Sequence, residues 1–187
     1  MFIEPSRFPF VSELEVNWEK IRDEFRSLSN DVFDPWIQQQ MHGYGWSVFG
    51  LHALGIPIES ACKKCPETAR LIQSIDGVSL AGFSLLAPQT HIEPHVGWAE
   101  SVYRLHLGLV VPSECKLRVG SETRYWEEGK CLIFDDTVEH EAWNGSDQFR
   151  GTLMLDFLRP GITDFSTDML PEEVRLYAER LINRCEP

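Results

Sequence analysis

The second half of the chain, from Val78 onward, is a series of short β-rich runs separated by turn residues. Runs of this length and spacing are typical of an all-β barrel or a double-sheet roll, because alternating βαβ units would need a helix between successive strands. Pro112, Gly120, Glu128-Gly129 and Asn144-Gly145 lie between runs, and Asn-Gly favours a tight turn. The predicted strands are 78–87, 103–111, 116–119, 131–135, 139–143 and 149–158.

Helical patterns occupy the first third of the chain and its end. Apolar residues at near-helical spacing predict an amphipathic helix over 14–28, which follows an extended arm over 1–16. A short β-like run over 43–51 precedes a second predicted helix over 66–75, and a third is predicted over 171–182. A chain of 187 residues suits one domain with a core. We therefore predict a single mainly β domain over residues 1–187, with a β-roll core over about 78–160 and supporting helices.

The chain carries a formal net charge of −12 and has a pI near 4.9. A nucleic-acid or anionic-membrane partner would need a basic surface, so this balance argues against both, although it permits a local basic pocket for a small anion. The start, Met-Phe-Ile-Glu-Pro, lacks the pattern of a signal peptide, and no apolar run approaches the roughly 18 residues of a membrane helix. The sequence therefore predicts a cytoplasmic protein without a membrane span.

Five cysteines, Cys62, Cys65, Cys115, Cys131 and Cys185, are scattered and odd in number, as expected of reduced thiols. Cys62 and Cys65 have the spacing of half a zinc site or of a redox pair. No second CxxC or suitably spaced histidine pair accompanies them. The pattern favours ordinary thiols near the start of a helix.

Two of the six histidines, His95 and His140, have the sequence context of a site. His95 follows Pro94 in a turn-like segment, and His140 begins a predicted strand; the 45 residues between them (140 − 95) allow two strands of one roll to converge. Imidazole suits Fe, Zn, Cu or Ni, and iron oxygenases often combine two histidines with one carboxylate. The usual place for that acid, two residues after the first histidine, holds Gly97. Spacing alone therefore leaves a two-histidine metal site as a hypothesis.

Three polar side chains, Arg104, His106 and Arg150, fall within apolar strands, where a charge is costly unless it is paired. Arg104 and His106 are two residues apart, so they project from one face of their strand while the neighbouring leucines point the other way. One interpretation is a pocket in which Arg150 binds a dicarboxylate through a bidentate contact. The other is a buried structural ion pair with one of three carboxylates, Asp135, Asp136 or Asp156.

The chain also resembles a known family, the aspartyl/asparaginyl β-hydroxylases. The resemblance runs from about Phe8 to Pro160 and is densest from Phe83 onward. Each matching string is short, but in this order and at these intervals the strings are highly specific. They are Pro94-His95-x-Gly97, Arg104-x-His106-Leu-Gly-Leu109, Trp126-Glu-Glu-Gly-Lys130, Leu132-Ile-Phe-Asp-Asp136, Glu139-His140-Glu-x-Trp143-Asn and Phe149-Arg150.

This resemblance implies a cupin-like jelly roll (a double-stranded β-helix) that holds Fe(II) and uses 2-oxoglutarate and O2 to hydroxylate an unactivated C–H bond, releasing succinate and CO2. It implies that His95 and His140 are the iron ligands and catalytic residues, without a carboxylate ligand, so that Gly97 is what the family would show. It also implies that 2-oxoglutarate is bound by Ser84, Arg104, His106 and Arg150, in a pocket lined by Trp46.

The prime substrate stays open. Family members that hydroxylate Asp or Asn in folded modules carry basic residues near the positions of Gly82 and Val102, and both are uncharged here. An amino-acid-like or peptidyl substrate, a carrier-bound group and a lipid-linked acyl chain are all compatible with the sequence, as is halogenation at a site without a carboxylate. Alternatives from other classes are a non-catalytic cupin-like binding module and a structural zinc site. The lack of a third and fourth ligand disfavours the zinc site.

Overall fold

The computed structural model describes residues 1–43, 45–168 and 170–184, and within these ranges it contains twelve strands and five α-helices. The strands are β1 (Phe2–Ile3), β2 (Asp34–Pro35), β3 (Trp46–Ala53), β4 (Ile56–Pro57), β5 (Val78–Leu86), β6 (Thr90–His95), β7 (Val102–Val110), β8 (Cys115–Val119), β9 (Glu122–Tyr125), β10 (Cys131–Phe134), β11 (His140–Asn144) and β12 (Arg150–Leu158). The helices are α1 (Phe10–Val16), α2 (Trp18–Ser27), α3 (Glu59–Lys64), α4 (Pro66–Gln73) and α5 (Glu172–Ile182).

The strands form two sheets with a shared core between them, in the manner of a jelly roll. The order in the larger sheet is β1-β10-β7-β12-β5-β3-β2, with β4 beside β3, and the order in the smaller sheet is β6-β11-β8-β9. All pairings between these strands are antiparallel. The predicted fold class, a mainly β roll with supporting helices, is confirmed, and each of the six predicted strands is present to within one residue at either end.

The central strands β7 and β12 sort their side chains by alternation. Five of their leucines are fully buried in a core shared with the N-terminal helices: Leu105, Leu107, Leu109, Leu153 and Leu155. The residues between them point into the roll, where they line a cavity; they include Arg104, His106, Arg150 and Met154. The prediction that Arg104 and His106 share a face is confirmed. The apolar face fixes the strand register, and the register places the polar face.

The N-terminal segment differs from the predicted arm and single helix. Phe2–Ile3 is a strand paired with β10, and the first helix begins at Phe10. The predicted helix over 14–28 is instead two helices, because Asn17 interrupts it; its side-chain amide donates a hydrogen bond to the backbone carbonyl one turn earlier. Asparagine competes with the helical backbone in this way. Val16, expected on the apolar face, is 80% exposed.

Besides β1, the elements that were not predicted are β2, β4, α3, β6 and β9. Strand β6 contains Pro94, which lowers the strand signal of the sequence. The strand lies at the edge of the smaller sheet, where a residue without an N–H group is tolerated. His95 therefore ends a strand rather than lying in a turn.

Helix α5 packs against β3 and buries Val174, Tyr177 and Ala178, in agreement with the helix predicted over 171–182. Across the described ranges, the helices are all too short or too polar to cross a membrane.

Candidate metal centre and anion pocket

His95 and His140 lie side by side on the smaller sheet. His95 is the last residue of β6 and His140 the first of β11, and the antiparallel register makes them direct partners across the two strands. Their ring centroids are 4.1 Å apart, and the edge of the Phe134 ring packs against His140. The structure therefore brings together the two residues predicted as metal ligands, close enough for one ion to contact both rings.

Each of the two rings is oriented by a hydrogen bond within its own chain segment. His95 Nδ1 lies 2.7 Å from the carbonyl oxygen of Glu93, and His140 Nδ1 lies 2.9 Å from that of Val138. A carbonyl oxygen only accepts hydrogen bonds, so Nδ1 carries the hydrogen in each ring and Nε2 keeps a free lone pair. Metal-binding histidines are commonly fixed by such a partner on the second ring nitrogen.

Burial keeps both rings neutral. Burial, followed by the neighbouring His95 ring, lowers the pKa of His140 to about 3. Burial also lowers the pKa of His95, although its hydrogen bond to Glu93 acts in the opposite direction. A neutral imidazole is the form that binds a metal ion, so both Nε2 atoms are available at pH 7.

Gly97 occupies the position where a carboxylate ligand would follow His95. A Cβ atom at this position would overlap the carboxylate of Asp136, and the Gly97 N–H donates to the Asp136 backbone carbonyl at 2.7 Å. Among the described residues, no third His, Cys, Asp or Glu joins the histidine pair as a potential ligand. The packing therefore leaves no space for an acidic side chain at position 97, and the centre has two protein ligands to offer.

Arg150 is 1% exposed and has no carboxylate partner in the part of the chain that the structure describes. Its Nη1 donates to Thr152 Oγ1 at 2.8 Å and to Ser84 Oγ at 3.4 Å, and its guanidinium lies 4.6 Å from the centroid of the Trp126 ring. Burial lowers its pKa to about 10, which leaves it charged at neutral pH. A buried cation among neutral groups is costly, and an anionic ligand would relieve that cost.

Arg150 and the two histidines line one small cavity, here called the inner cavity. Trp46 Nε1 donates to Ser84 Oγ at 3.0 Å, which fixes both side chains. His106 stacks on Trp126, and neither of its ring nitrogens has a hydrogen-bond partner among the described residues. Burial, followed by the charge of Arg150, lowers the pKa of His106 well below its usual value, so this ring is also neutral.

All the residues predicted to form the 2-oxoglutarate pocket thus border the same cavity as the predicted ligands. They are Trp46, Ser84, Arg104, His106 and Arg150. Trp46, which lies outside the densest part of the family resemblance, is among them and is buried.

Arg104 differs from Arg150 in its partners. Its Nε and Nη2 each donate to Asp156 at 2.7 Å, and Nη2 also lies 3.2 Å from Asp136. Burial alone would lower the pKa of Arg104, but the two carboxylates outweigh it and raise the pKa above its usual value. Burial likewise raises the pKa of Asp136 to about 6 in spite of Arg104. The structural ion pair, one of the two interpretations drawn from the sequence, is therefore present at Arg104.

A second cavity, here called the outer groove, adjoins the inner cavity at His95. Trp46, His95, Arg104 and Met154 line both. Most of the remaining lining residues of the groove are apolar, and they include Trp36, Met41, Leu54, Leu80, Trp98 and Phe165. The groove is the candidate approach for a substrate to the histidine pair.

Four residues of the site were missed at the level of sequence: Met154 and Asp136, which line the cavities, and Thr152 and Trp126, which contact Arg150. Thr152 and Met154 lie two and four residues after Arg150 on the same strand, so alternation along β12 could have found them. Asp136 was considered only as an ion-pair partner. Trp126 comes from the connection between β9 and β10, and no local pattern indicates that its ring faces Arg150.

Cys62 and Cys65 belong to no potential metal site within the described ranges. Both thiols are free, the Cys62 Sγ donates to the Leu51 carbonyl at 3.4 Å, and burial raises the pKa of Cys65 to about 12. Ordinary thiols remain the prediction for this pair, and Cys185 lies outside the described residues.

Residues 15–160 match the family model described as aspartyl/asparaginyl beta-hydroxylase. The chain is 38% identical over 170 residues to the aspartyl/asparaginyl beta-hydroxylase of Mus musculus, an alignment that covers 86% of this chain and 23% of that protein. It is 37% identical over 169 residues to the ornithine lipid ester-linked acyl 2-hydroxylase of Rhizobium tropici, with coverage of 82% and 58%. A predicted oxalate decarboxylase from Thermotoga maritima is a similar solved structure, with a TM-score of 0.47, 11% identity and coverage of 68% and 93%.

The chain thus spans between about a quarter and just over half the length of these two relatives. The region matched by the family model includes both histidines of the metal pair and Arg150, and it extends over most of the chain. The chain therefore belongs to the aspartyl/asparaginyl β-hydroxylase family.

Proposed function

We propose that the protein is an Fe(II)- and 2-oxoglutarate-dependent dioxygenase that hydroxylates an unactivated C–H bond and releases succinate and CO2. The observation that carries this proposal is Arg150, a buried cation with no carboxylate partner among the described residues, in the same cavity as two neutral histidines with free Nε2 lone pairs. A ligand with a metal-chelating end and a distal carboxylate would satisfy both features at once.

The residues present fit both groups. His95 and His140 would hold the iron through Nε2, since imidazole suits iron. The Arg150 Nε has no partner among the described residues, and the Ser84 hydroxyl, which accepts hydrogen bonds from Trp46 and Arg150, keeps its own hydrogen to donate to a carboxylate. Bound iron would activate O2 for C–H hydroxylation, with 2-oxoglutarate as the co-reductant that is oxidised to succinate and CO2.

The other residues of the inner cavity orient these groups and exclude water. The only side-chain donor of Trp46, Nε1–H, is hydrogen-bonded to Ser84. Trp46 therefore positions that hydroxyl group and does not bind the anion itself. His106 is neutral and offers an unpartnered ring nitrogen to the chelating end of the co-substrate. Phe134 and Leu117 close the cavity with apolar surface, which strengthens the charge–charge contact of a bound carboxylate with Arg150.

The names of the relatives support two classes of prime substrate. One relative is named as a hydroxylase of aspartyl and asparaginyl groups, and the other as a hydroxylase of an ester-linked acyl group of a lipid. For this chain we propose a substrate of one of these classes: an amino-acid-like or peptidyl group, or an acyl group attached to a lipid or carrier.

The test begins with purified protein, Fe(II) and 2-oxoglutarate under anaerobic conditions. We expect the weak visible charge-transfer band of the metal chelate, and we expect His140→Ala to lose both the band and bound iron, because it removes one of two ligands. Cys62→Ser, a substitution far from both cavities, is the control and should keep the band. Absence of the band in the native chain, together with no binding of 2-oxoglutarate, would contradict the proposal.

Admission of O2 then separates an enzyme from a binding module. We expect succinate release to rise above its basal rate with one member of a panel of amino acids, peptides and acyl carriers. A protein that binds iron and 2-oxoglutarate but never releases succinate would instead be the non-catalytic cupin-like module.

A further inference from the structure

A third cavity, here called the distal chamber, lies between α5 and the larger sheet. Its wall on β3 and β5 consists partly of small residues: Gly50, Ala53, Ala81 and Gly82. Its wall on α5 includes Val174, Tyr177 and Ala178. The surface that faces this chamber is almost entirely apolar. Small residues on two paired strands therefore leave a space beneath the helix that no side chain of the described chain fills.

The distal chamber continues the outer groove. Six residues line both, among them Trp36, Leu80, Met154 and Ala178. Met154 also lines the inner cavity, so this one side chain borders all three spaces. Methionine is unbranched and flexible, and a wall formed by it adapts to a ligand at small cost. The path from the histidine pair to the space beneath α5 thus passes Met154.

The walls of this path offer no free cation. Among the described residues that line the groove and the chamber, Arg104 is the only Lys or Arg, and Asp136 and Asp156 already pair with it. Gly82 has no room for a side chain, because a Cβ atom there would lie 2.5 Å from the carbonyl oxygen of Phe49. The path is suited to an uncharged, apolar group and unsuited to a substrate carboxylate.

We propose that the outer groove and the distal chamber form one channel for an unbranched acyl chain, with the distal chamber holding the end of the chain remote from the reacting carbon. The hydroxylation itself rests on the proposed function above. The channel sets a maximum chain length at the point where the chain meets the wall formed by α5 and the small residues of β3 and β5. Ala178, which lines both spaces, is a residue that determines this length.

The test measures binding of neutral N-methyl amides of unbranched fatty acids, from butanoyl to hexadecanoyl, to the full chain by isothermal titration calorimetry. Binding should strengthen by about four-fold for each added methylene that enters the channel, and then reach a plateau. Ala178→Phe should bring the plateau to a shorter chain while leaving the affinity for the shortest amides unchanged. Leu176→Phe, which adds a similar group to the exposed face of the same helix, is the matched control and should behave as the native chain.

A second variant keeps the proposal testable if Ala178→Phe unfolds on heating at a much lower temperature than the native chain. Val174→Ala enlarges the channel wall, and it should move the plateau to a longer chain. Affinity that does not depend on chain length in the native protein, or a plateau that Ala178→Phe or Val174→Ala leaves unchanged, would overturn the proposal.

The same samples distinguish this proposal from the proposed function. The anaerobic chelate band depends on the inner cavity and needs no acyl chain. A band without chain-length-dependent binding would remove the channel and leave the oxygenase. Chain-length-dependent binding without a band would remove the oxygenase and leave the channel.

Discussion

Two arginines, the buried Arg150 and the partly buried Arg104, border the same inner cavity with opposite surroundings. Arg150 has hydroxyl groups and an aromatic face as its partners, whereas Arg104 is held by Asp136 and Asp156. The inner cavity therefore carries an unbalanced positive charge at Arg150. At Arg104, next to the outer groove, two carboxylates balance or outweigh the positive charge. The partners of a buried arginine, and not its burial, indicate whether it is there for a ligand or for the fold.

Replacement of Arg104 tests the structural half of this comparison, and it should have the largest effect. Arg104→Met leaves two buried carboxylates without their cation, and removal of one partner of a buried ion pair costs about 3–5 kcal/mol. Urea unfolding monitored by circular dichroism should show this loss in the free energy of unfolding.

Arg150→Met is the matched control for that measurement. It removes a buried cation and leaves no carboxylate behind, so without ligand its free energy of unfolding should stay within about 1 kcal/mol of the native value. Equal destabilisation of the two variants would remove the distinction between the arginines.

The ligand-binding half of the comparison predicts the next largest effect. Arg150→Met should weaken 2-oxoglutarate binding by about 10- to 150-fold, because it removes a charge-assisted contact of about 1.5–3 kcal/mol. Titration calorimetry with the iron-loaded protein measures this change, and iron binding itself should be unaffected. An unchanged affinity would place the distal carboxylate elsewhere.

Gly97→Ala tests how firmly Arg104 holds the Asp136 carboxylate next to the outer groove. The added Cβ atom enters the space of the Asp136 carboxylate, which Arg104 holds in place, and such overpacking costs about 1–3 kcal/mol. The cost, measured by urea unfolding, should be smaller when Gly97→Ala is made in an Asp136→Ala background. A Gly97→Ala protein as stable as the native chain would show that the carboxylate is free to move.

A third ion pair, Asp135 with Arg159, lies nearer the surface. Its loss should have the smallest effect on the free energy of unfolding. Burial alone would raise the pKa of Asp135, but hydrogen bonds from Thr137 and Arg159 outweigh it and hold the pKa below its usual value. The stabilisation from this carboxylate is therefore complete above its ordinary pKa of about 3.9, and it is lost as the pH falls through the lower, folded-state pKa.

Asp135→Asn should accordingly cost less than about 1 kcal/mol of unfolding free energy at pH 7, with a smaller difference from the native chain at the acid end of the stable range. Urea unfolding as a function of pH measures both. A difference that grows on acidification would have the wrong sign for a carboxylate with a lowered pKa.

The strands of the roll were predicted because they depend on local signals. Local spacing left the pair His95 and His140 as a hypothesis, and the family resemblance then singled it out. Alternation in β7 and β12 separates leucines from polar residues, and the turn residues mark where each run ends. The sequence did not separate Arg104 from Arg150, since both are arginines on apolar strands. Their difference depends on which carboxylates lie across the sheet, and the register places Asp156 opposite Arg104 and Leu86 opposite Arg150.

Features that depend on the absence of a side chain could not be predicted from the sequence either. Nothing local to Gly50 or Gly82 indicates a chamber, because the space depends on how α5 packs over two paired strands. Asn17 and Pro94 led to wrong predictions for a different reason. The Asn17 side chain makes a hydrogen bond that divides the predicted helix, and Pro94 lacks an N–H group that a strand at the sheet edge does not need.

The hydrogen bonds that orient His95 and His140 each reach back only two residues, to the carbonyls of Glu93 and Val138. Each candidate ligand is thus oriented by its own short peptide, and the sheet needs only to place the two peptides next to each other. A centre of this kind is modular: loops between the two segments can change in length or composition during evolution while the donor atoms keep their aim. New substrate specificities can then arise around an unaltered pair of ligands, by changes confined to the groove and the helix that covers it.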